Sequence, residues 1–265
     1  MKDWTRVTKR RPCPVCNQDH WCTIGDTVIC CMRVESSRRC SNGGWLHPLG
    51  SSSAGGVAYH QGPARPTRQR SVGINWGALV ELYVKAVQPK PLAQLAALLG
   101  VTVPALRALD IGWDGEAWVM PERRPDRQVC GIKRRTSPQK LYVNGSAPGL
   151  YIPRDLNGSE PLFICEGGSD TAALWGLGVS VIGRPNCNGG TRYVCEMARG
   201  RRVVLVPDND PVNQFGHRPG QEGAATLSKA LRGIAASVKT VIPPVKDSRE
   251  WVRAGLTREE LLRLV

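Results

Sequence analysis

Pro161-Leu162-Phe163-Ile164-Cys165-Glu166-Gly167-Gly168-Ser169-Asp170 is an apolar run that ends on a carboxylate and then on two glycines. The run predicts a buried strand, the glycines a tight turn, and Ser169 or Asp170 a cap for the helix begun by Thr171-Ala172-Ala173-Leu174-Trp175. Such a strand carries Glu166 to the edge of a sheet. Downstream the pattern alternates, with strands expected at 162–165, 179–182, 202–206 and 238–242. Helices are expected at 170–177, 193–199 and 223–234, and Thr257-Arg258-Glu259-Glu260 reads as a capping box for a last helix. Alternating strand and helix predicts a parallel sheet flanked by helices.

The third of those strands runs into Pro207-Asp208-Asn209-Asp210. If the backbone stays extended there, Asp208 and Asp210 face one side, because side chains two apart in a strand do. In a parallel sheet the ligand crevice lies outside the carboxyl ends of the strands, which is also where Glu166 stands. Three carboxylates in one crevice repel unless a cation lies between them. Magnesium, with manganese as an alternative, suits the set because it needs few carboxylates and leaves positions for phosphate oxygens. Lys246-Asp247, after the fourth strand, adds a candidate phosphate contact and a further carboxylate, and Asp170 is a cap or a supporting residue.

Upstream the chain reads as three segments. Residues 1–49 hold six of the ten cysteines. Cys13-Pro14-Val15-Cys16 is a knuckle of the kind that offers two thiolates to one ion, and Cys22 and Cys30, on two expected short strands, complete a structural zinc site. Cys31, Cys40, His20 and His47 remain substitutes, because the register of those strands is not fixed by the sequence. Residues 50–75 are rich in Ser, Gly, Pro and Arg, a flexible basic linker. Residues 76–157 begin with helical spacing and Gly100-Val101-Thr102 between helices, compatible with a helix-turn-helix but more often plain helical packing. They continue as short strands bearing Arg123, Arg124, Lys133, Arg134, Arg135 and Lys140. With almost no acid nearby in the sequence to balance them, these cations predict a surface that tracks phosphates. Residues 158–265 form the parallel-sheet domain.

The whole-chain totals agree with that direction. Lys and Arg number 36 against 22 Asp and Glu, a net charge of +14, which favours a polyanionic partner. No stretch has the length and apolarity of a membrane span or a signal peptide, so a soluble, cytoplasmic protein is expected, its cysteines serving metal rather than disulfides.

Glu166-Gly167-x-x-Asp170, Asp208-x-Asp210 and Lys246-Asp247, in that order on alternating strands and helices, resemble the Toprim domain of bacterial-type DNA primases, topoisomerases, some nucleases and recombination mediators. With a cysteine module and a basic α/β segment ahead of it, the chain most resembles the primases, in particular the compact primase-like proteins of phages and mobile elements. Met32-Arg33-Val34-Glu35-Ser36, Gly44-Trp45-Leu46-His47 and Gly183-Arg184-Pro185 add to that likeness. The resemblance implies that Glu166 is the essential acid, as metal ligand or proton acceptor, and that Asp208 and Asp210 are the main magnesium ligands. It further implies that the basic segment holds single-stranded DNA template and nucleoside triphosphates for synthesis of a short RNA primer. Trp21 or Trp45 is a candidate for stacking on template bases. The chain lacks the second Cys-x2-Cys of many primases, and Ser248-Arg249 stands where many carry a further Asn-Asp. It also has no Walker motif, so a separate replicative helicase is the expected partner. A DNA-binding scaffold without catalysis, or a nuclease, is the alternative reading.

Overall fold

The structure is a computed structural model that describes residues 4–40, 44–49, 74–135, 140–156 and 158–265. Almost all of the expected linker at 50–75 lies outside the described residues. The chain divides into two compact units, Met1–Thr67 and Arg68–Val265, each taken by itself below.

The first unit is an antiparallel sheet in the order β1 (Thr5–Arg6), β2 (Thr23–Ile24), β3 (Val28–Cys31) and β4 (Trp45–Pro48). The β2–β3 hairpin pairs Thr23 with Cys30 and Ile24 with Ile29, its strands lying one or two residues later in the chain than the 21–23 and 27–30 that the sequence suggests. Its core is small: Val7, Cys13, Cys22, Ile24, Ile29 and Cys31. So little apolar surface cannot offset the entropy of ordering such a segment, and a structural ion is the usual remedy.

The second unit opens with α1 (Trp76–Lys85), α2 (Pro89–Leu99) and α3 (Val103–Ala108). Asn75 caps α1 through a 3.0 Å bond from the Ala78 amide, and Gly100 ends α2 in the left-handed conformation at φ 67°. Leu92, Leu95, Leu99 and Leu106 pack on Tyr151 and Ala172, so these helices belong to the core of the unit. An antiparallel sheet follows, in the order β5 (Gly112–Trp113), β6 (Trp118–Arg123), β7 (Val129–Arg135) and β8 (Lys140–Tyr142).

The remaining elements are β9 (Leu162–Glu166), α4 (Gly167–Gly176), β10 (Val181–Arg184), α5 (Thr191–Met197), β11 (Arg202–Val206), α6 (Pro219–Ala230), β12 (Ser237–Thr240), α7 (Ser248–Arg253) and α8 (Arg258–Arg263). The strands form an all-parallel sheet in the order β10-β9-β11-β12. Central β9 and β11 are buried on both faces, as their unbroken apolar runs require, with Phe163 wholly enclosed. One face packs on α5 and α6 through Leu162, Ile164, Val194 and Leu227, the other on α4 and α8 through Phe163, Leu174 and Leu261. Leu150 and Tyr151 form isolated bridges rather than a strand, and Tyr151 exchanges two backbone hydrogen bonds with Gly183 at the outer edge of β10. The capping box at Thr257 and Glu260 forms as expected.

Candidate active site and metal centre

Glu166 ends β9 and stands at the N-cap position of α4, its backbone still extended and its side chain free of any capping bond. The helix therefore begins at Gly167, earlier than the sequence suggested, and neither Ser169 nor Asp170 caps it. Gly167 makes this abrupt change possible, since its φ of 75° lies in the region that side chains disfavour.

β11 stops at Val206, and Asp208-Asn209-Asp210 follow in irregular backbone. Asn209 fastens this turn to the segment after β12. Its amide donates to the Lys246 carbonyl at 2.7 Å and its side chain donates to the Pro243 carbonyl at 3.0 Å. The Gly220 amide donates to Asp210 Oδ2 at 2.8 Å, and a Cβ at Gly220 would collide with the Asp208 carbonyl. The start of α6 thus rests directly on the acidic turn.

The electrostatics show that the acids share one environment. Burial pushes Asp208 up to about 8, helped by the negative charges of Glu166, Asp170, Asp247 and Asp210. Glu166 is also raised, by burial first and then by Asp210 and Asp170, against the pull of the Asp208 amide and of Arg184. Asp170 is raised to about 6 by burial and by Asp247. Carboxylates arranged in this way take up protons or a cation. Among the described residues, the compact group of potential metal ligands is the four sulfurs of the first unit and includes none of these acids.

Asp170 and Asp247 each make bonds that hold neighbouring elements. Asp170 is only 6% exposed and accepts the Arg249 amide at 3.0 Å and the Ser169 hydroxyl at 3.3 Å, which ties α4 to the start of α7. Asp247 caps α7 by accepting the Glu250 amide at 2.7 Å, so it acts on the crevice through its charge. The Lys246 side chain is exposed.

The basic segment is better balanced than its local sequence suggested. Arg123 pairs with buried Asp110 at 2.6 Å, and Arg134 pairs with Asp114 and, at 3.0 Å, with Glu116. Lys133 lies 3.6 Å from Glu122, donates to the Pro185 carbonyl at 3.1 Å and sits over the Tyr142 ring. Arg124 and Arg135 are exposed, and Lys140 lies on β8 with its side chain outside the described residues. Glu122, 0% exposed, also accepts the Tyr142 hydroxyl at 2.8 Å and the Gly149 amide at 2.8 Å. Sequence reasoning gave Glu122 no role, since its partners lie 11–27 positions away. It also left Arg184 unassigned. That guanidinium is buried beside Glu166, donating to the Gly189 carbonyl at 2.9 Å, and the only earlier sign of it was the Gly183-Arg184-Pro185 motif.

In the first unit Cys13, Cys16, Cys22 and Cys31 bring their sulfurs within 4.8 Å of one another. The expected ligand Cys30 is replaced by Cys31. Neighbours on a strand face opposite ways, and β3 turns Cys31 inward while Cys30 forms a disulfide with Cys40. His20 bonds Asp19 and His47 bonds the Val34 carbonyl, so neither joins the cluster. Separations of 3.6 Å for Cys16 and Cys22 and 4.0 Å for Cys22 and Cys31 fit a tetrahedral zinc, whose ~2.3 Å bonds set sulfurs about 3.8 Å apart. Burial and neighbouring sulfurs hold the Cys13 thiol up at about 12 in the absence of an ion. The donor set therefore fits zinc, which would deprotonate these thiols on binding. Cys130 and Cys165 are buried and Cys187 and Cys195 half-buried, outside this cluster.

No family model matches the chain, and no curated protein matches it in sequence. Solved structures do match. The zinc-binding and RNA polymerase domains of the Aquifex aeolicus primase superpose with a TM-score of 0.57 at 16% identity, covering 71% of this chain and 58% of that one. A DnaG primase catalytic domain bound to single-stranded DNA gives 0.54 at 18%, covering 71% and 78%. The primase fragment of the bacteriophage T7 primase-helicase protein gives 0.51 at 14%, covering 99% of this chain and 100% of that one. The chain has a primase-like fold.

Proposed function

We propose that the chain is a DNA primase-like nucleotidyltransferase that makes short RNA primers on single-stranded DNA. The observation that carries this reading is the set of half-buried, mutually repelling acids at the carboxyl ends of β9 and β11, on a fold whose solved likenesses are primases. We assign the acids to a Toprim-type site.

In this reading Asp208 and Asp210 supply the main ligands for magnesium, and Asp170 and Asp247 add negative charge from behind. The bound ion would offset the charge of the nucleotide's phosphates. The primer 3′-hydroxyl attacks the α-phosphorus of the incoming nucleotide, a new P–O bond forms, and the bond to pyrophosphate breaks. Glu166, whose affinity for a proton is raised by burial, accepts the hydroxyl proton. Arg184 limits the cost of the ionised form of Glu166. Exposed Arg124 and Arg135 meet template or triphosphate, Lys246 a phosphate, and Lys133, Arg134 and Arg123 shape that surface while held by their own acids. The zinc unit holds the template, and a replicative helicase supplies unwinding; the T7 likeness comes from a protein named as a primase-helicase.

The test is incubation with magnesium, nucleoside triphosphates and single-stranded DNA of varied sequence. Short oligoribonucleotides are expected, with at least a hundredfold loss in Glu166→Ala and no loss of DNA binding. Salt-sensitive DNA binding with no product on any template would leave only the scaffold reading.

A further inference from the structure

Between Asp210 and α6 the chain makes an excursion in which every residue from Pro211 to Pro219 is exposed. It is nonetheless built. Asn213 Oδ1 accepts the amides of Phe215 at 2.9 Å and His217 at 3.1 Å, and the Asn213 amide donates to the His217 carbonyl at 2.8 Å. Glu222 on α6 bonds both His217 Nδ1 and the Arg218 amide. Both ends are pinned at the acids: Gly220 donates to Asp210 Oδ2, and Gln221 Nε2 donates to Asn209 Oδ1 at 2.9 Å and to the Asp210 carbonyl at 3.1 Å.

The apex of this ordered loop is Phe215, 70% exposed, with Val212 at 54%. The chain's other phenylalanine, Phe163, is wholly buried. Burying such a ring would stabilise the fold, so a hydrogen-bonded turn that holds it in water forgoes that gain. Phe215 lies five positions after Asp210, a chain reach of no more than about 18 Å. Whatever the ring touches lies beside the acidic crevice.

The occupant follows from chemistry. Two apolar side chains fall far short of the roughly 800 Å² that each partner of a stable protein interface buries. A single ring at the end of a turn does suit a nucleobase, since stacking needs one flat face and no further pocket. Residues 211–219 include Arg218 and no carboxylate, in a chain of net charge +14, so a phosphate backbone can approach. We propose that Phe215 stacks on a base of the single strand held at the crevice and so positions that strand against Glu166 and Asp208. The proposal rests on the primase reading above.

The test uses the full-length, zinc-loaded protein and two labelled single-stranded DNAs with the same phosphates, one intact and one abasic, with affinities read by fluorescence anisotropy. Phe215→Ala should weaken binding of the intact strand roughly tenfold and of the abasic strand less than about twofold, as loss of one stacked base requires. Phe215→Trp should restore the intact-strand affinity. Equal affinity of wild type and Phe215→Ala for the intact strand overturns the proposal alone, as does an equal loss on both strands. Absence of any DNA binding by the wild type overturns the primase reading and this proposal with it. Because the ring is 70% exposed, Phe215→Ala should melt within about 1 °C of wild type, which checks that a loss of affinity is not a loss of fold.

Discussion

Asp208 shows how much a single carboxyl can ask of its surroundings. Its folded pKa of about 8 lies above the ordinary 3.8, so the folded protein binds a proton that the unfolded chain releases. Stability without divalent ions should therefore fall as pH rises from about 4 to about 8. Asp208→Asn should flatten that slope and melt at least about 3 °C higher than wild type at pH 8.5 in a chelator, and magnesium should stabilise wild type but not the variant. Melting curves across pH, with and without magnesium, check both. The cysteines give a second residue-level prediction. Cys31→Ser should release zinc, while Cys30→Ser should keep it, as measured by metal content after desalting. That choice was hidden in the sequence. Cys30 and Cys31 are adjacent, a strand presents them to opposite faces, and only the pairing of Thr23 with Cys30 fixes which face is which.

At the scale of elements, the strands were legible and the charges were not. The apolar runs that became β9 and β11 announced themselves, because a strand buried on both faces has few other ways to be composed. The partners of the basic strands lie far off in the chain: Arg123 and Arg134 reach back 13 and 20 positions to their aspartates. Local composition made those cations look unopposed. The same distance hid Glu122, which joins β6 to β7, β8 and, through Lys133, the loop after β10. Glu122→Ala should cost about 3–5 kcal/mol by stranding Lys133 and Tyr142, lowering the midpoint by about 10 °C in a thermal melt. Gly220→Ala should act more locally. Its methyl displaces the Asp208 carbonyl, so primer synthesis should fall at least tenfold while the melting temperature shifts by only a few degrees.

For the whole molecule, the division into two units predicts two separable transitions. Scanning calorimetry in the presence of a strong zinc chelator should abolish the transition of the cysteine-rich unit and leave that of the larger one in place. The bonds between Tyr151 and Gly183 bear on a different property. A parallel sheet has two open margins, and an open margin recruits strands from other molecules. β12 guards one with Lys239 and its shortness, while the chain's own backbone covers part of the other. A fragment beginning at residue 158 would keep every acid of the crevice but lose that cover. It should therefore self-associate more readily than the longer chain, which light scattering would reveal, if the segment before the parallel sheet shields that margin from other strands.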